Sequence, residues 1–406
     1  MVSWSKFIDP LVVEGSCHEV GHTWCESCLE ATLEIFINCV RYSVKLYSPI
    51  YMVAGLLTRR NIQYFTGKMI VEILQSCLFL STNGALLVGS FCLFRKLFGR
   101  FYLLSCGFLP GAASSFGGII LERKSRRGLL ALYMLNVAIE TVYNILRSRG
   151  YAMEIPYGEV GMFMLATSTT MYLHRKQLLP NGILKKVVRL LLGDKVPDGV
   201  GIPQSLEPRK EWIHHSLKVF AAGYCIKMIP GFLLSLPKIF SNPKLILRAL
   251  VNKDNARFGA FTGSLILLFR VFEYVSYKIR RKKDEWNSFL AGGIAGLSML
   301  FQRSSTLALY VLSKVGEVLY FRGAQKGYLP WFKNGDVFLY TVCTAVMFHA
   351  AVLEPHNLNP TYWRFLSNLT NKRFGEMNRK RLDPFGLESS RCFPDFDPFP
   401  LKKMEH

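Results

Sequence analysis

Five side chains that could hold a metal crowd together near the start of the chain: Cys17, His18, His22, Cys25 and Cys28 fall within 12 residues. Thiolate sulfur and imidazole nitrogen are the ligands of closed tetrahedral zinc sites, and Cys17, His22, Cys25 and Cys28 would complete one. Cys25 and Cys28 also form a Cys-x-x-Cys pair, which suits redox exchange or lipid attachment. The loops are short and no second Cys-x-x-Cys follows, so plain packing stands as a third reading.

Two acids come next. Glu140 and Glu317 each lie within an apolar stretch, where a carboxylate is costly and turns to a polar interior or a partner. Because they occupy matching places in two similar segments, they could face a shared pathway or a repeat interface. Lys314, one turn before Glu317, offers the local alternative of simple neutralisation. Small residues accompany them: Gly107, Gly111 and Gly118 in one segment, Gly292, Gly293 and Gly296 in another. Such residues let helices approach closely, and paired Gly-interrupted segments also mark transporter sites.

Basic residues gather in short connectors beside the apolar runs: Arg95, Arg123, Lys124, Arg126, Arg127, Arg270 and Arg303. Placed there, they favour anionic lipid headgroups or acidic partners over nucleic acid. Enzyme signatures are missing: no Gly-x-Ser-x-Gly elbow, no phosphate-binding glycine loop and no His-Glu-x-x-His occurs. The chain is therefore expected to work without bond chemistry.

The elements that must position these residues are helices in a membrane. Half of the 406 residues are hydrophobic and the mean hydropathy is +0.21, yet 50 Lys+Arg face 28 Asp+Glu for a net +22. Only segregation of charge from apolar runs reconciles the two. About ten apolar segments follow, near 33–57, 70–94, 101–121, 128–146, 157–173, 217–240, 258–277, 287–301, 305–321 and 336–353. Those at 70–94, 101–121, 128–146 and 258–277 reach spanning length, and helix is the default where lipid leaves backbone groups unsatisfied. Ile183–Leu192 alternates basic and aliphatic residues, as an interfacial helix would. Cys39, Cys77, Cys92, Cys106, Cys225 and Cys343 sit singly in apolar runs and read as small hydrophobes. The opening residues show neither a signal sequence nor an Arg-rich transit peptide.

The chain also repeats itself. Residues 126–167 match 303–344 without a gap at 13 of 42 positions, several times the ~3 expected at random. The expected architecture is an all-α, polytopic membrane protein with two internally duplicated helical repeats. Its parts are a Cys/His-rich segment (1–32), repeat 1 (33–174), a basic connector (175–214), repeat 2 (215–353) and a soluble tail (354–406). Whether the repeats are inverted or parallel depends on whether 217–240 crosses, and both arrangements stay open.

Several strings resemble the transmembrane protein 135 family, also called peroxisomal membrane protein 52. They include Cys17-His18-Glu19-Val20-Gly21-His22-Thr23-Trp24, Thr82-Asn83-Gly84-Ala85-Leu86 and Glu122-Arg123-Lys124-Ser125-Arg126-Arg127-Gly128-Leu129-Leu130. Phe258-Gly259-Ala260-Phe261 and Met377-Asn378-Arg379-Lys380 continue the resemblance. It implies a multi-pass protein of mitochondrial and peroxisomal membranes. It further implies a role in the balance of mitochondrial fission and fusion through the dynamin-related fission GTPase, and in peroxisome organisation and lipid metabolism. A distant likeness to the channel subunits of the mitochondrial inner-membrane translocases comes with it, and a carrier or lipid/sterol conduit at the repeat interface is the alternative.

Overall fold

The computed structural model describes residues 12–192, 209–239, 252–282 and 284–396. Part of the connector (193–208), the end of the 217–240 segment and residues 397–406 lie outside them, as does the start of the Cys/His-rich segment (1–11).

Every apolar segment named above is helical over most of its described length. The order is β1 (Val12–Val13), α1 (Cys17–Val20), α2 (Cys28–Leu57), α3 (Met69–Phe98), β2 (Phe101–Tyr102), α4 (Phe108–Leu121), α5 (Lys124–Ser148), α6 (Gly158–Arg175) and α7 (Ile183–Leu192). Then come α8 (Arg209–Ile239), α9 (Lys253–Arg280), α10 (Glu285–Ala295), α11 (Ser305–Gln325), α12 (Gly335–Leu353) and α13 (Pro360–Leu369). Local chemistry sets the ends. Ser27 caps α2 by accepting from Glu30 N, Asn252 caps α9 and Ser304 caps α11. Gly99, at φ 71°, closes α3 in the left-handed conformation that costs glycine nothing.

Four described stretches are long and apolar enough to cross a membrane: Tyr64–Phe98, Lys124–Ser148, Lys253–Arg280 and Gly335–Leu353. The segment read as a span at 101–121 is not among them. A short strand and turn take up its first residues, and the helix that remains, Phe108–Leu121, is too short. Large apolar side chains such as Leu33, Ile37, Leu93 and Leu129 point outward, which suits a lipid-facing surface.

The chain forms two compact units, 1–154 with 332–406 and 155–331. In the first, α2 packs on α3, α3 on α4, and both α4 and α5 on α12. Its core joins Phe79, Ile119, Met134, Met347 and Phe348. In the second, α8 packs on α9, α9 on α10, and both α10 and α11 on α6. Phe163, Phe269, Ala291, Met299 and Val315 meet in its core.

These units do not follow the boundaries 33–174 and 215–353. Helix α6 belongs to the second unit and α12 to the first, because the glycine faces fit them. A Cβ on Gly111 would stand 3.0 Å from the Ala345 Cα, and one on Gly296 only 2.5 Å from the Met164 Cα. Residues 355–385, expected to stand off as a soluble tail, are instead built into the first unit. Leu358, Tyr362 and Leu366 join its core, and Asn378 N donates to the Val20 carbonyl at 2.9 Å.

Candidate functional site

Inside the first unit, α2, α3, α5, α12 and α13 surround an apolar cavity of about 290 Å³. Its walls include Leu46, Phe79, Leu87, Met134, Phe348 and Leu366. Arg373 pairs with Glu34 on α2 at 2.7 Å, and Arg126 lies over Tyr47 of the same helix; both arginines line the cavity. Thirteen residues of helix separate Glu34 from Tyr47, so the cavity runs roughly 20 Å along α2.

A polar patch interrupts the apolar wall at mid-length. Asn83 Nδ2 donates to the Tyr340 hydroxyl at 3.3 Å, leaving Asn83 Oδ1 without a partner. Thr344 Oγ1 lies beside the same Tyr340 hydroxyl, and Asn83 and Thr344 are each at least 97% buried. Thr344 is central in α12, about 13 Å from either end at 1.5 Å per residue. Buried polar atoms without partners are rare and ask for a hydrogen-bonding ligand. A charged headgroup at such depth is disfavoured, so the patch suits a neutral hydroxyl or carbonyl.

At one end of the cavity, lined by Gly21, His22 and Trp24, stands a thiol–imidazole cluster. The ligand atoms of Cys17, His22, Cys28 and Cys92 all lie within 4.8 Å of one another. A capping box between Ser16 and Glu19 starts α1 at Cys17, and Cys28 opens α2 after its Ser27 cap. Cys92 reaches in from α3. Cys25, expected as a ligand, turns away: its thiol donates to Glu30 Oε2 at 3.2 Å. Hydrogen bonding from Cys92, and then the nearby His22 ring, outweigh burial and bring the Cys17 thiol down to about 5.

Most of the basic residues find partners within the protein. Glu122, with its side chain wholly buried, accepts from Arg126 at 3.0 Å, while Arg123 reaches Glu72 at 2.7 Å. Both guanidinium groups also donate to the Tyr51 hydroxyl. Arg127 caps α4 through the carbonyls of Glu122 and Ile120 at 3.0 and 2.6 Å. Arg95 donates to the Gly15 carbonyl at 2.7 Å, and Lys124 is exposed. In the second unit Arg270 donates to the Leu192 carbonyl at 2.6 Å, and Arg303 sits over Tyr157 beside Glu159.

The two acids are each engaged locally. Glu140 accepts from Asn359 Nδ2 at 3.0 Å in the first unit, and Glu317 from Lys314 at 2.8 Å in the second. The glycines serve close packing: Gly107 meets His349, Gly118 meets Asn83, and Gly292 and Gly293 meet Ser168. Missed in the sequence were Cys92, Glu122 and Asn83. A polar residue midway along an apolar span was a usable signal for Asn83; a cysteine in an apolar helix gives none.

Residues 15–146 match the family model for the N-terminal cysteine-rich region of Transmembrane protein 135. Over these residues the chain is similar to the transmembrane protein 135 family. The matched stretch runs from the Cys/His segment through α2, α3 and α4 into α5. It therefore carries Cys17, His22, Cys28 and Cys92, the Glu122 cluster and Asn83, while Tyr340 and Thr344 lie beyond it. No solved structure matches the chain. The family match and the four apolar helices together make this a membrane protein.

Proposed function

We propose that this transmembrane protein 135 relative is a non-enzymatic, multi-pass protein of mitochondrial and peroxisomal membranes that takes up one neutral lipid. The observation that carries the reading is the elongated cavity with Asn83, Tyr340 and Thr344 at mid-length. Its apolar walls accept an acyl chain or sterol ring system, and the patch accepts a single hydroxyl or carbonyl. The reading is closest to the lipid side of the roles the family resemblance implies.

The test is lipid content. Full-length protein in detergent should retain about one sterol or acyl lipid by native mass spectrometry, and Leu87→Trp should empty the cavity while the fold survives. Retention unchanged by that substitution would end the lipid reading.

The regulator role in mitochondrial fission and fusion rests on the resemblance. Its proposed basic contact to the fission GTPase narrows to Lys124, since Arg123, Arg126 and Arg127 are held internally. Normal GTPase recruitment by Lys124→Glu would remove that patch.

Duplication is part of the same proposal. Tyr143 donates to the Met153 carbonyl at 3.0 Å and Tyr320 to Pro330 at 2.8 Å, positions that are equivalent at the offset of 177. Gly150 and Gly327 share a φ of 76°. The order of packed helices also corresponds, with α6 and α12 exchanged between copies.

A further inference from the structure

We propose that Cys17, His22, Cys28 and Cys92 hold one zinc ion in a closed structural site. The inference is independent of the lipid reading. A tetrahedral zinc with Zn–S near 2.3 Å places its sulfurs about 3.8 Å apart. Ligand atoms already within 4.8 Å of one another need only small rotations about their side-chain bonds to close on such an ion.

The histidine supplies the second, independent sign. His22 is wholly buried, and its Nδ1 stands 2.6 Å from the Cys25 carbonyl. A carbonyl can only accept, so Nδ1 carries the proton and Nε2 presents its lone pair. That Nε2 is left to face the Cys17 sulfur, another of the four proposed ligands. A histidine fixed through Nδ1–H to a backbone carbonyl, with Nε2 directed at a metal, is the usual arrangement around zinc. His18 Nδ1 lies 3.0 Å from the same carbonyl and steadies the loop.

The donor set chooses the metal and its job. Three thiolates and one imidazole are soft ligands that suit zinc over magnesium or calcium. Four protein ligands leave no position for water or substrate, so the ion binds structure together rather than catalysing. What it joins is the N-terminal segment, the start of α2 and the last turns of α3. The C-terminal region docks on the same segment, since Thr23 Oγ1 donates to the Glu376 carbonyl at 2.7 Å. The ion thus fixes the wall of the cavity formed by Gly21, His22 and Trp24.

Full-length protein purified in detergent without chelators should contain about one zinc per chain by elemental mass spectrometry. Cys92→Ser and His22→Gln should fall below about a tenth of an equivalent, and Cys25→Ser should keep its zinc. Should Cys92→Ser fail to fold, zinc-edge X-ray absorption on the unaltered protein decides, with three sulfurs and one nitrogen expected. Less than about half an equivalent after supply of zinc overturns the proposal. So does zinc loss in Cys25→Ser equal to that in Cys92→Ser, a sulfur count other than three, or a disulfide among Cys17, Cys28 and Cys92. Lipid retained by a zinc-free protein would overturn this site's role at the cavity wall while leaving lipid uptake intact.

Discussion

Asn83 and Tyr340 stand 257 positions apart in sequence, yet the amide of one donates to the hydroxyl of the other at 3.3 Å across the cavity wall. The bond joins α3 to α12, with Thr344 beside the same hydroxyl, and leaves Asn83 Oδ1 waiting for a partner. Replacing Asn83 or Thr344 with an isosteric apolar residue removes a binding contact without creating a void. Asn83→Leu or Thr344→Val should each weaken lipid retention about 5- to 10-fold, the worth of one hydrogen bond. Titration of a hydroxyl-bearing fluorescent lipid into detergent-solubilised protein measures it, and an unchanged affinity would assign the patch to packing alone.

Glu122 neutralises two guanidinium groups while fully buried itself. Glu122→Gln takes the carboxylate from Arg126 in a partly dry site, while Arg123 keeps Glu72, and a broken buried pair costs about 3–5 kcal/mol. Thermal unfolding in detergent should show a clear drop in Tm. By contrast Glu154→Gln, which breaks the exposed pair with Arg147, should cost less than about 1 kcal/mol.

Close helix approach predicts opposite outcomes at two glycines. At Gly296 an added Cβ meets the Met164 backbone at 2.5 Å, so Gly296→Ala should destabilise by about 1–3 kcal/mol. At Gly316, within α11, a Cβ meets nothing within 4 Å, and Gly316→Ala should stabilise by about 0.5–1 kcal/mol. Paired melting curves test both signs.

Local pairing of Glu140 with Asn359 and of Glu317 with Lys314 gives a fourth expectation. Liposomes carrying Glu140→Gln with Glu317→Gln should take up lipid or ions at the unaltered rate. A flux lost in that double variant would restore the two acids to a conducting path.

The helices were legible because each is a contiguous apolar run whose caps lie within a few residues. Ser27, Asn252 and Ser304 announce their helices in the sequence itself. What could not be read was which helix lies beside which. Hydropathy treats α6 and α12 as the closing helices of their own repeats, whereas Gly111 and Gly296 decide the packing by shape. The same limit hid the fourth ligand. Cys25 sits in the right stretch of sequence, but Glu30 draws its thiol away, and α3 delivers Cys92 from 64 positions beyond Cys28. The tail was misread for a like reason: its polar composition conceals Tyr362, Leu366 and Leu369, which sit on one side of a short helix against the core.

Because residues 155–331 form a unit of their own between the two parts of the other, synthesis and assembly run in different orders. A ribosome will have delivered the whole inserted unit before it reaches α12. Until then the earlier unit has its cavity walls from α2, α3 and α5 but no Tyr340 to meet Asn83. A nascent chain halted after residue 331 would thus own one finished bundle and one still open to lipid, and the insertion machinery must shelter that open face until the final span arrives.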